Sequence, residues 1–448
     1  MAKRSLASFT IAALTLPSIS QSFSLKSVTS GPLKRPPSAL SSTAVSDATS
    51  STSAAGERAT KFWKWRGHDI FTEVGTSRNN GSEADTSSPG NDKPAVILLH
   101  GFGASTVYWR ETMSVLQEEG YEVHALDLLG QGRSSKPFTE EAESDGSSSL
   151  PYRLYPNDAD GEDEDGSDTD ASSSPMEIGK NTDTRVEYSI NLWGNLVDDY
   201  ARHQQLEKVV LMGNSLGSLV ALSAATGDFL SHSNTDRDNL FSYLAGNNAR
   251  ERSRVAGLCL FNCGVGLNSR NVVKNPTFGP IRRAIFNALF DVLNTLIFDN
   301  PFLLRYALNN IVTKELLEDA LKSLYMHSPD RVDAELVDSF YYPAKLGGDG
   351  AVEAIRQIYT NDAGLTPREY HERYPEILDS LPLHLIWGLE DVVTPINGDV
   401  GVFYCDRVAN NRSGKGTTTI DVVSSGHMPF DDNPVETHKA MTRWLEKK

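Results

Sequence analysis

The stretch Val209–Leu222, with the sequence VVLMGNSLGSLVAL, decides the fold. Its apolar run Val209–Met212 is followed by a turn in which Ser215 stands between Gly213 and Gly217, and a helical pattern comes next. A serine in a G-x-S-x-G turn between a strand and a helix is held above the edge of a sheet, with its hydroxyl exposed. Two glycines are expected there because a Cβ would collide with neighbouring backbone at so tight a corner. The stretch therefore predicts a nucleophilic serine.

Short apolar runs alternate with helical patterns along most of the chain. Lys61–Val74 predicts one or two antiparallel strands. The predicted buried strands are Ala95–Leu99, Tyr121–Leu128, Lys208–Met212, Val255–Cys263, Leu383–Trp387 and Thr417–Val423. The predicted helices are Val107–Glu119, Tyr188–Gln205, Ser218–Gly227 and Pro434–Lys447. Strands that alternate with helices predict an α/β fold with a doubly wound, mostly parallel sheet.

Two long segments interrupt this alternation. Residues 139–185 carry 14 acidic and three basic residues, a net charge of −11 in a chain of −17. Because the segment has almost no apolar content, it is predicted to be a disordered surface insertion. Calcium binding by its alternating acids is the alternative, but the run lacks the order and the terminal glutamate of a calcium loop.

The second interruption, residues 268–380, is mostly helical and predicts a cap laid over the sheet. Seven apolar residues fall near one helical face, namely Ile281, Ile285, Leu289, Val292, Leu293, Leu296 and Ile297. Because ligand pockets are mostly apolar, this face favours a lipophilic substrate; a cap that needs a core of its own would show the same pattern. An apolar cap is also compatible with peripheral membrane contact.

A glycine-rich bend follows the first parallel strand, in Leu98–Ser105 (LLHGFGAS). With Gly101 and Gly103 around it, this bend can turn the Phe102 backbone N–H toward a developing oxyanion. The Leu216 N–H, at the start of the helix after the serine, is the second predicted donor. His100 is expected to hold the bend in place rather than to take part in the chemistry.

An acid and a base are predicted after the last two strands. In LIWGLEDVVTP (385–395), Asp391 lies just beyond a strand end, where it can orient an imidazole; its neighbour Glu390 is expected to face solvent. In VVSSGHMPFDDNP (422–434), His427 lies in a loop between the last strand and the terminal helix, from which a base can reach Ser215.

The chain order Ser215, Asp391, His427 is that of the α/β-hydrolase fold. HGFGASTVYW and ALDLLGQGRSSKP, within Leu98–Pro137, resemble this superfamily. The chain is most similar to the plant and algal plastid branch that includes pheophytinase and chlorophyll dephytylase, through three further motifs: GNSLGS (213–218), LFNCGVGLN (260–268) and WKWRGH (63–68). The resemblance covers most of residues 62–448, and the acidic insertion and the segment 227–254 depart from its pattern.

These residues together predict a serine esterase that works through an acyl-enzyme. Combined with the resemblance and the N-terminal signals below, they favour the phytyl ester of chlorophyll or pheophytin as substrate. A plastid lipase, an acylhydrolase, a general carboxylesterase and a non-catalytic binder of a small lipophilic ligand remain alternatives. A serine nucleophile argues against epoxide hydrolases and haloalkane dehalogenases of this fold, which carry aspartate there. No metal or organic cofactor is implied.

The N-terminus predicts targeting signals. Residues 1–22 have the charged start and apolar centre of a signal peptide, and residues 23–58 are Ser/Thr-rich, basic and almost free of acids, like a transit peptide. Phe23 follows the junction, as in the bipartite presequences of algae with secondary plastids. The expected location is the plastid, with secretion or the endomembrane system as the alternative. The hydrolase domain is then residues 59–448.

Composition excludes some other functions. A net charge of −17 argues against a nucleic-acid partner, because phosphate binding needs clustered Lys and Arg. Three cysteines without a CxxC pair do not form a disulfide framework or a zinc site. Cys259 and Cys263 are expected to be buried and inert. The sequence carries no signal for the oligomeric state.

Overall fold

The computed structural model of the chain describes residues 58–76, 93–138, 186–232, 254–274, 279–410 and 417–447. The predicted presequence and the acidic insertion 139–185 lie outside these ranges, apart from Arg58. Disorder, calcium binding and targeting therefore stay predictions.

Eight strands form one sheet in the order β1-β2-β4-β3-β5-β6-β7-β8. They are β1 (Arg58–Trp65), β2 (His68–Gly75), β3 (Ala95–Leu99), β4 (Val123–Leu126), β5 (Val209–Asn214), β6 (Val255–Phe261), β7 (Leu383–Gly388) and β8 (Thr418–Val423). β1, β2 and β4 pair antiparallel, and all the other neighbours pair parallel. The predicted α/β fold with a mostly parallel sheet is confirmed.

Thirteen α-helices lie in the described ranges. They are α1 (Arg110–Glu118), α2 (Ile190–His203), α3 (Leu216–Thr226), α4 (Pro280–Leu293), α5 (Pro301–Asn310), α6 (Lys314–Lys322), α7 (Ala334–Leu346), α8 (Gly348–Thr360), α9 (Pro367–Arg373), α10 (Pro375–Leu378), α11 (Asp399–Asn410), α12 (Pro429–Asp432) and α13 (Pro434–Leu445). Short 3-10 helices occupy Thr106–Trp109, Asp228–His232, Ser269–Lys274 and Pro329–Arg331, and a π-helical turn occupies Asn294–Phe298. All four predicted helices are present, with ends shifted by a few residues.

The sheet has a hydrophobic cluster on each face, because successive side chains of a strand point to opposite sides. In β3, Ile97 and Leu99 pack with α2 and α3, whereas Val96 and Leu98 pack with α1 and α13. All four side chains are fully buried. Covering a sheet on both faces is what a parallel sheet requires. Of the two buried cysteines, Cys263 joins the first cluster and Cys259 the second, so both are buried as predicted.

The helices α4 to α8 form the cap, and its apolar face is not where the sequence predicts it. Five of the seven residues of that face are exposed, from 45% for Leu289 to 75% for Ile281. Phe290 is the buried apolar side chain of α4. Farther along the predicted cap segment, α9 and α10 pack beside α3 in the core under the sheet, through Tyr370, Tyr374 and Leu378.

No helix in the described ranges combines the length and the apolar composition needed to cross a bilayer.

Candidate active site

Ser215 stands at the turn between β5 and α3 in a strained backbone conformation, with φ of 53° and ψ of −117°. Such a conformation costs a non-glycine residue on the order of 1–3 kcal/mol and persists only where its surroundings hold it. A Cβ on Gly213 would overlap the Gly217 carbonyl, and one on Gly217 would overlap the Leu99 carbonyl. The two glycines are therefore required by close packing of backbone around the serine.

Two backbone hydrogen bonds hold this turn against β6 and the segment after it. The Ser215 N–H donates to the Phe261 carbonyl at 3.0 Å, and the Gly264 N–H donates to the Ser215 carbonyl at 3.1 Å. The first bond continues the pairing of β5 with β6 beyond the end of β5. The strained serine is thus positioned by the sheet itself.

His427 and Asp391 form a buried pair after β8 and β7. The Nδ1 atom of His427 lies 2.9 Å from Oδ2 of Asp391, and the two residues are 7% and 3% exposed. A carboxylate that accepts from Nδ1 leaves Nε2 as the ring nitrogen that can act as a base. The two residues have the arrangement that the sequence predicts for them.

The Asp391 carboxylate accepts several further hydrogen bonds. Its Oδ1 accepts from the Val393 N–H at 2.8 Å and the Thr394 N–H at 3.2 Å, and its Oδ2 accepts from the Thr394 hydroxyl at 2.7 Å and from Asn262 Nδ2. Burial would raise the pKa of Asp391, but the charge of His427 and the donated hydrogen bonds outweigh it and hold the pKa below its ordinary value. The carboxylate is therefore kept ionised beside the imidazole.

Asn262, directly after β6, is a site residue that sequence reasoning missed. Its Nδ2 donates to Asp391 and, at 3.3 Å, to the Gly426 carbonyl, while its Oδ1 accepts from the Gly388 N–H at 3.1 Å. Its φ of 43° lies in the left-handed region, which asparagine tolerates better than most residues. The sequence signal that could have identified Asn262 is its position immediately after a buried strand, which Ser215 shares.

Phe102 and Leu216, whose N–H groups are the two predicted oxyanion donors, both line the pocket that contains Ser215. In the bend after β3, the Gly101 N–H donates to the Tyr108 hydroxyl and the Gly103 N–H donates to Gln131 Oε1 at 2.8 Å. Within the described residues, the N–H groups of Phe102 and Leu216 make no such bond. These donors point to an anion site beside the serine, which the N-terminus of α3 also favours.

Ser215 and His427 line the same pocket. In the part of the chain that the structure describes, the Ser215 hydroxyl makes no hydrogen bond to the imidazole. Such bonds are often long in a free enzyme and tighten when substrate binds. The structure thus brings Ser215, His427 and Asp391 to one edge of the sheet, as the topological rule for parallel sheets predicts.

His100 and Glu390 are two further titratable residues in the motifs of this set. His100 bonds to backbone on both sides, through Nδ1 to the Gly101 carbonyl at 2.7 Å and through Nε2 from the Leu128 N–H at 2.9 Å. Burial also lowers its pKa, so it holds the bend as an uncharged ring. Glu390 does not face solvent as predicted: it is half-buried and accepts from the Ser425 N–H at 2.9 Å, in the loop that carries His427.

The pocket above Ser215 has a volume of about 420 Å³ and is mostly apolar. Its apolar wall comes largely from the cap and includes Ile297, Phe298, Leu304, Leu308, Val312, Leu317, Leu321, Phe340, Ile355, Ile358 and Tyr359. Gln131 and Lys136 are among the polar side chains that also line it. Gln131 supports the oxyanion bend, and Lys136 donates from Nζ to the carbonyls of Gly132 and Ser134 at 2.6 and 3.1 Å. Burial lowers the pKa of Lys136 to about 7.

The cap is hydrogen-bonded directly to the loop that carries His427. The His427 N–H donates to the Leu324 carbonyl at 2.9 Å, just after α6. The buried carboxylate of Asp432 accepts from the backbone N–H groups of Met326, His327 and Ser328 in the cap and of Gly426 in the loop, and from the Ser425 hydroxyl. The sequence around Asp432 carries no signal for this contact, because it joins two segments about 100 residues apart.

Among the described residues, no group of three or more His, Cys, Asp or Glu is placed to hold a metal ion.

Comparison with curated proteins finds short stretches of similarity. One stretch of 56 residues is 45% identical to epoxide hydrolase B of Mycobacterium tuberculosis. This alignment covers 12% of this chain and 16% of that protein. A stretch of 134 residues is 29% identical to chloroplastic pheophytinase of Arabidopsis thaliana, and that alignment covers 29% of this chain and 24% of that protein. The chain thus spans a quarter or less of the length of these relatives.

Comparison with solved structures finds the same fold. A proposed acyltransferase of Salmonella enterica superposes with a TM-score of 0.50 at 14% sequence identity, over 89% of this chain and 98% of that one. The sequence also matches the sequence model of the alpha/beta hydrolase family over residues 96–440, which is more than half of the chain. The chain belongs to the alpha/beta hydrolase family.

Proposed function

We propose that the protein is a serine hydrolase that cleaves a carboxylic ester through an acyl-enzyme. The observation that carries this proposal is the buried His427–Asp391 pair, with 2.9 Å between Nδ1 and Oδ2, in a pocket shared with Ser215. A carboxylate bonded to Nδ1 of an imidazole that shares a pocket with a serine is the arrangement by which a general base is directed at a nucleophile.

In the proposed mechanism, His427 Nε2 takes the proton of the Ser215 hydroxyl as Oγ attacks the ester carbonyl carbon. The N–H groups of Phe102 and Leu216 stabilise the oxyanion, and Asp391 stabilises the imidazolium. The imidazolium then protonates the leaving alkoxide and an acyl-serine remains. Water, deprotonated by His427, then attacks the acyl carbonyl carbon. The bond from this carbon to Oγ breaks as the imidazolium returns the proton to Oγ, which releases the acid and restores the Ser215 hydroxyl.

The proposed substrate is a long-chain lipophilic ester, and the phytyl ester of chlorophyll or pheophytin is its most specific form. Support comes from the apolar wall that the cap builds over Ser215 and from the partial similarity to pheophytinase. A wall of aliphatic side chains binds an alkyl chain through burial of apolar surface, without fixing its length or headgroup.

An epoxide hydrolase is the competing activity, because of the similarity over 56 positions. Epoxide opening by enzymes of this fold is expected to use an aspartate nucleophile, whereas this chain has Ser215 at the elbow. The ester reaction is therefore the one we propose.

The test offers chlorophyll a, pheophytin a, a short p-nitrophenyl ester and a styrene-type epoxide to the full chain and to Ser215→Ala. Release of chlorophyllide or pheophorbide that depends on Ser215 would support dephytylation. Turnover of the short ester alone would support a general esterase and contradict the pigment substrate. Epoxide opening without ester turnover would contradict the ester chemistry, and no turnover of any substrate would favour a binding protein.

We also propose a plastid location, on the composition of residues 1–58. A fluorescent protein fused after residue 58 is expected to enter plastids of an alga with secondary plastids. Removal of residues 1–22 should leave it in the cytosol, and secretion of the full fusion would contradict the proposal.

A further inference from the structure

The cap exposes an unusual set of large apolar side chains on α4, the π-helical turn and α5. We call them the outer cap face; they are Ile281 (75% exposed), Ile285 (61%), Leu289 (45%), Val292 (52%), Leu296 (62%), Phe302 (75%), Leu303 (43%) and Tyr306 (53%). In α4 they recur at spacings of four and three residues, so they form one stripe along the helix. Exposed apolar residues that occur singly need no explanation, but a stripe of this kind indicates an interaction surface.

Two of these three elements, the π-helical turn and α5, also line the pocket. Ile297 and Phe298 come from the π-helical turn, and Leu304, Ala307 and Leu308 come from α5. These two elements therefore have the pocket on one side and part of the outer cap face on the other, and α4 continues that face beyond the pocket wall.

The charge of these three elements differs from that of the whole chain. Residues 279–312 contain three arginines and two aspartates, a net charge of +1 in a chain of −17. Both aspartates are paired with arginines from neighbouring elements, Asp291 with Arg270 and Asp299 with Arg356, each at 3.2 Å. Arg282, next to Ile281, is exposed. The outer cap face is thus apolar, flanked by a cation and without an unpaired acid among its described residues.

We propose that the outer cap face docks on the surface of a lipid bilayer that contains anionic headgroups. An amphipathic helix with aliphatic residues on one face lies in the bilayer interface with that face buried, and arginines beside it attract anionic lipids. Docking would place the outer cap face against the lipids, with the pocket directly behind the π-helical turn and α5, so a lipophilic ester would have a short path to Ser215. The choice of a bilayer rests partly on the proposed function, whereas the docking itself is measured without hydrolysis.

The test is co-sedimentation of the full chain with phosphatidylcholine vesicles, with and without phosphatidylglycerol. The triple variant Ile281→Ser, Ile285→Ser, Leu289→Ser is expected to lose at least about tenfold in partition to both kinds of vesicle, because three of the eight apolar side chains of the outer cap face are removed. Arg282→Gln should weaken binding to the anionic vesicles only. The matched control Val422→Ser, Val435→Ser removes two exposed apolar side chains outside the cap (43% and 81%) and should bind like the wild type.

All substituted residues are exposed and none lines the pocket, so thermal unfolding and hydrolysis of a short soluble ester should not change. The proposal is overturned if the wild type does not sediment with vesicles, or if the triple variant sediments equally well. A wild-type dimer in light scattering that the triple variant converts to a monomer would assign the outer cap face to a second copy of the chain instead. If vesicles bind but no ester is cleaved, docking stands and the proposed function fails.

Discussion

The edge of the sheet that carries Ser215 and the cap above it are built in opposite ways. At the edge, Asp391, Asn262 and the backbone around them are buried and hydrogen-bonded on every side. In the cap, α4 has one buried apolar side chain and leaves its apolar stripe in solvent. A dense polar network tolerates little change, whereas an apolar layer tolerates many substitutions of similar volume. Changes at the sheet edge should therefore affect the chemistry, and changes in the cap should affect the choice of substrate.

The largest effect is expected from Ser215→Ala. Without the hydroxyl no acyl-enzyme can form, so kcat should fall about 100,000-fold while KM changes little. Ester hydrolysis and trapping of the acyl-enzyme by mass spectrometry measure this. Ser323→Ala, which removes an exposed hydroxyl in the cap, is the control and should keep full activity. An acyl adduct on the alanine variant would refute the nucleophile.

Asp391→Asn should lower kcat about 1,000- to 10,000-fold, because the amide favours the wrong tautomer of His427 and cannot stabilise its charge. Glu390→Gln keeps the shape of the neighbouring side chain and should cost less than about threefold, since Glu390 bonds to the Ser425 N–H and not to the imidazole. Steady-state kinetics of both variants compare the two acids. The reverse order of effects would show that Glu390 orients the base.

Asn262→Gly should lower kcat about 10- to 100-fold with little change in KM. A hydrogen bond to a charged group is worth about 1.5–3 kcal/mol, and tenfold corresponds to about 1.4 kcal/mol. Glycine accepts the φ of 43° without strain, so the variant isolates the loss of the side chain. Because Asn262 is one of the donors that hold the pKa of Asp391 low, loss of its side chain should raise that pKa. Titration of the Asp391 carboxyl carbon by NMR should therefore have its midpoint at higher pH in the variant, and a fall in kcat with an unmoved midpoint would indicate a purely structural role.

The smallest effect is expected from the cap. Ile355→Ala removes part of the apolar wall and enlarges the pocket. The variant should lower kcat/KM for a long-chain ester about 3- to 10-fold, while kcat/KM for a short ester changes less than about twofold. Leu346→Ala, which shortens a 44% exposed cap residue that does not line the pocket, is the control. Competition between esters of two chain lengths measures the ratio. Equal losses for both esters would mean that the cap acts on the chemistry as well.

Much of this arrangement could be predicted from the chain alone. β3 has the predicted bounds, and β5 extends only two residues beyond the predicted Met212. These strands were recognisable because buried parallel strands are short apolar runs between turns. Ser215, Asp391 and His427 could be singled out as candidates because each follows such a strand within a motif of glycine or acidic residues, and the structure places all three at one edge of the sheet.

Other features could not be predicted because they depend on segments far apart in the chain. The sequence around Asn262 does not distinguish it from any other asparagine after a strand. Its role depends on Asp391, which lies 129 residues later in the chain and is brought beside it by the pairing of β6 with β7. Asp432 has a role only where the cap segment 326–328 meets the loop of His427. The carboxylate of Glu390 likewise accepts a hydrogen bond from the Ser425 N–H in that loop instead of facing solvent.

The sequence by itself determined the α/β fold and the residues that can carry ester chemistry, because strand burial and glycine-flanked turns are local properties. It also revealed a stripe of apolar residues in α4, because helical periodicity is local too. Only the tertiary structure decided that this stripe faces solvent and that the pocket is lined by other residues of the cap. A period of 3.6 residues defines a face, but packing against the rest of the chain determines where the face points.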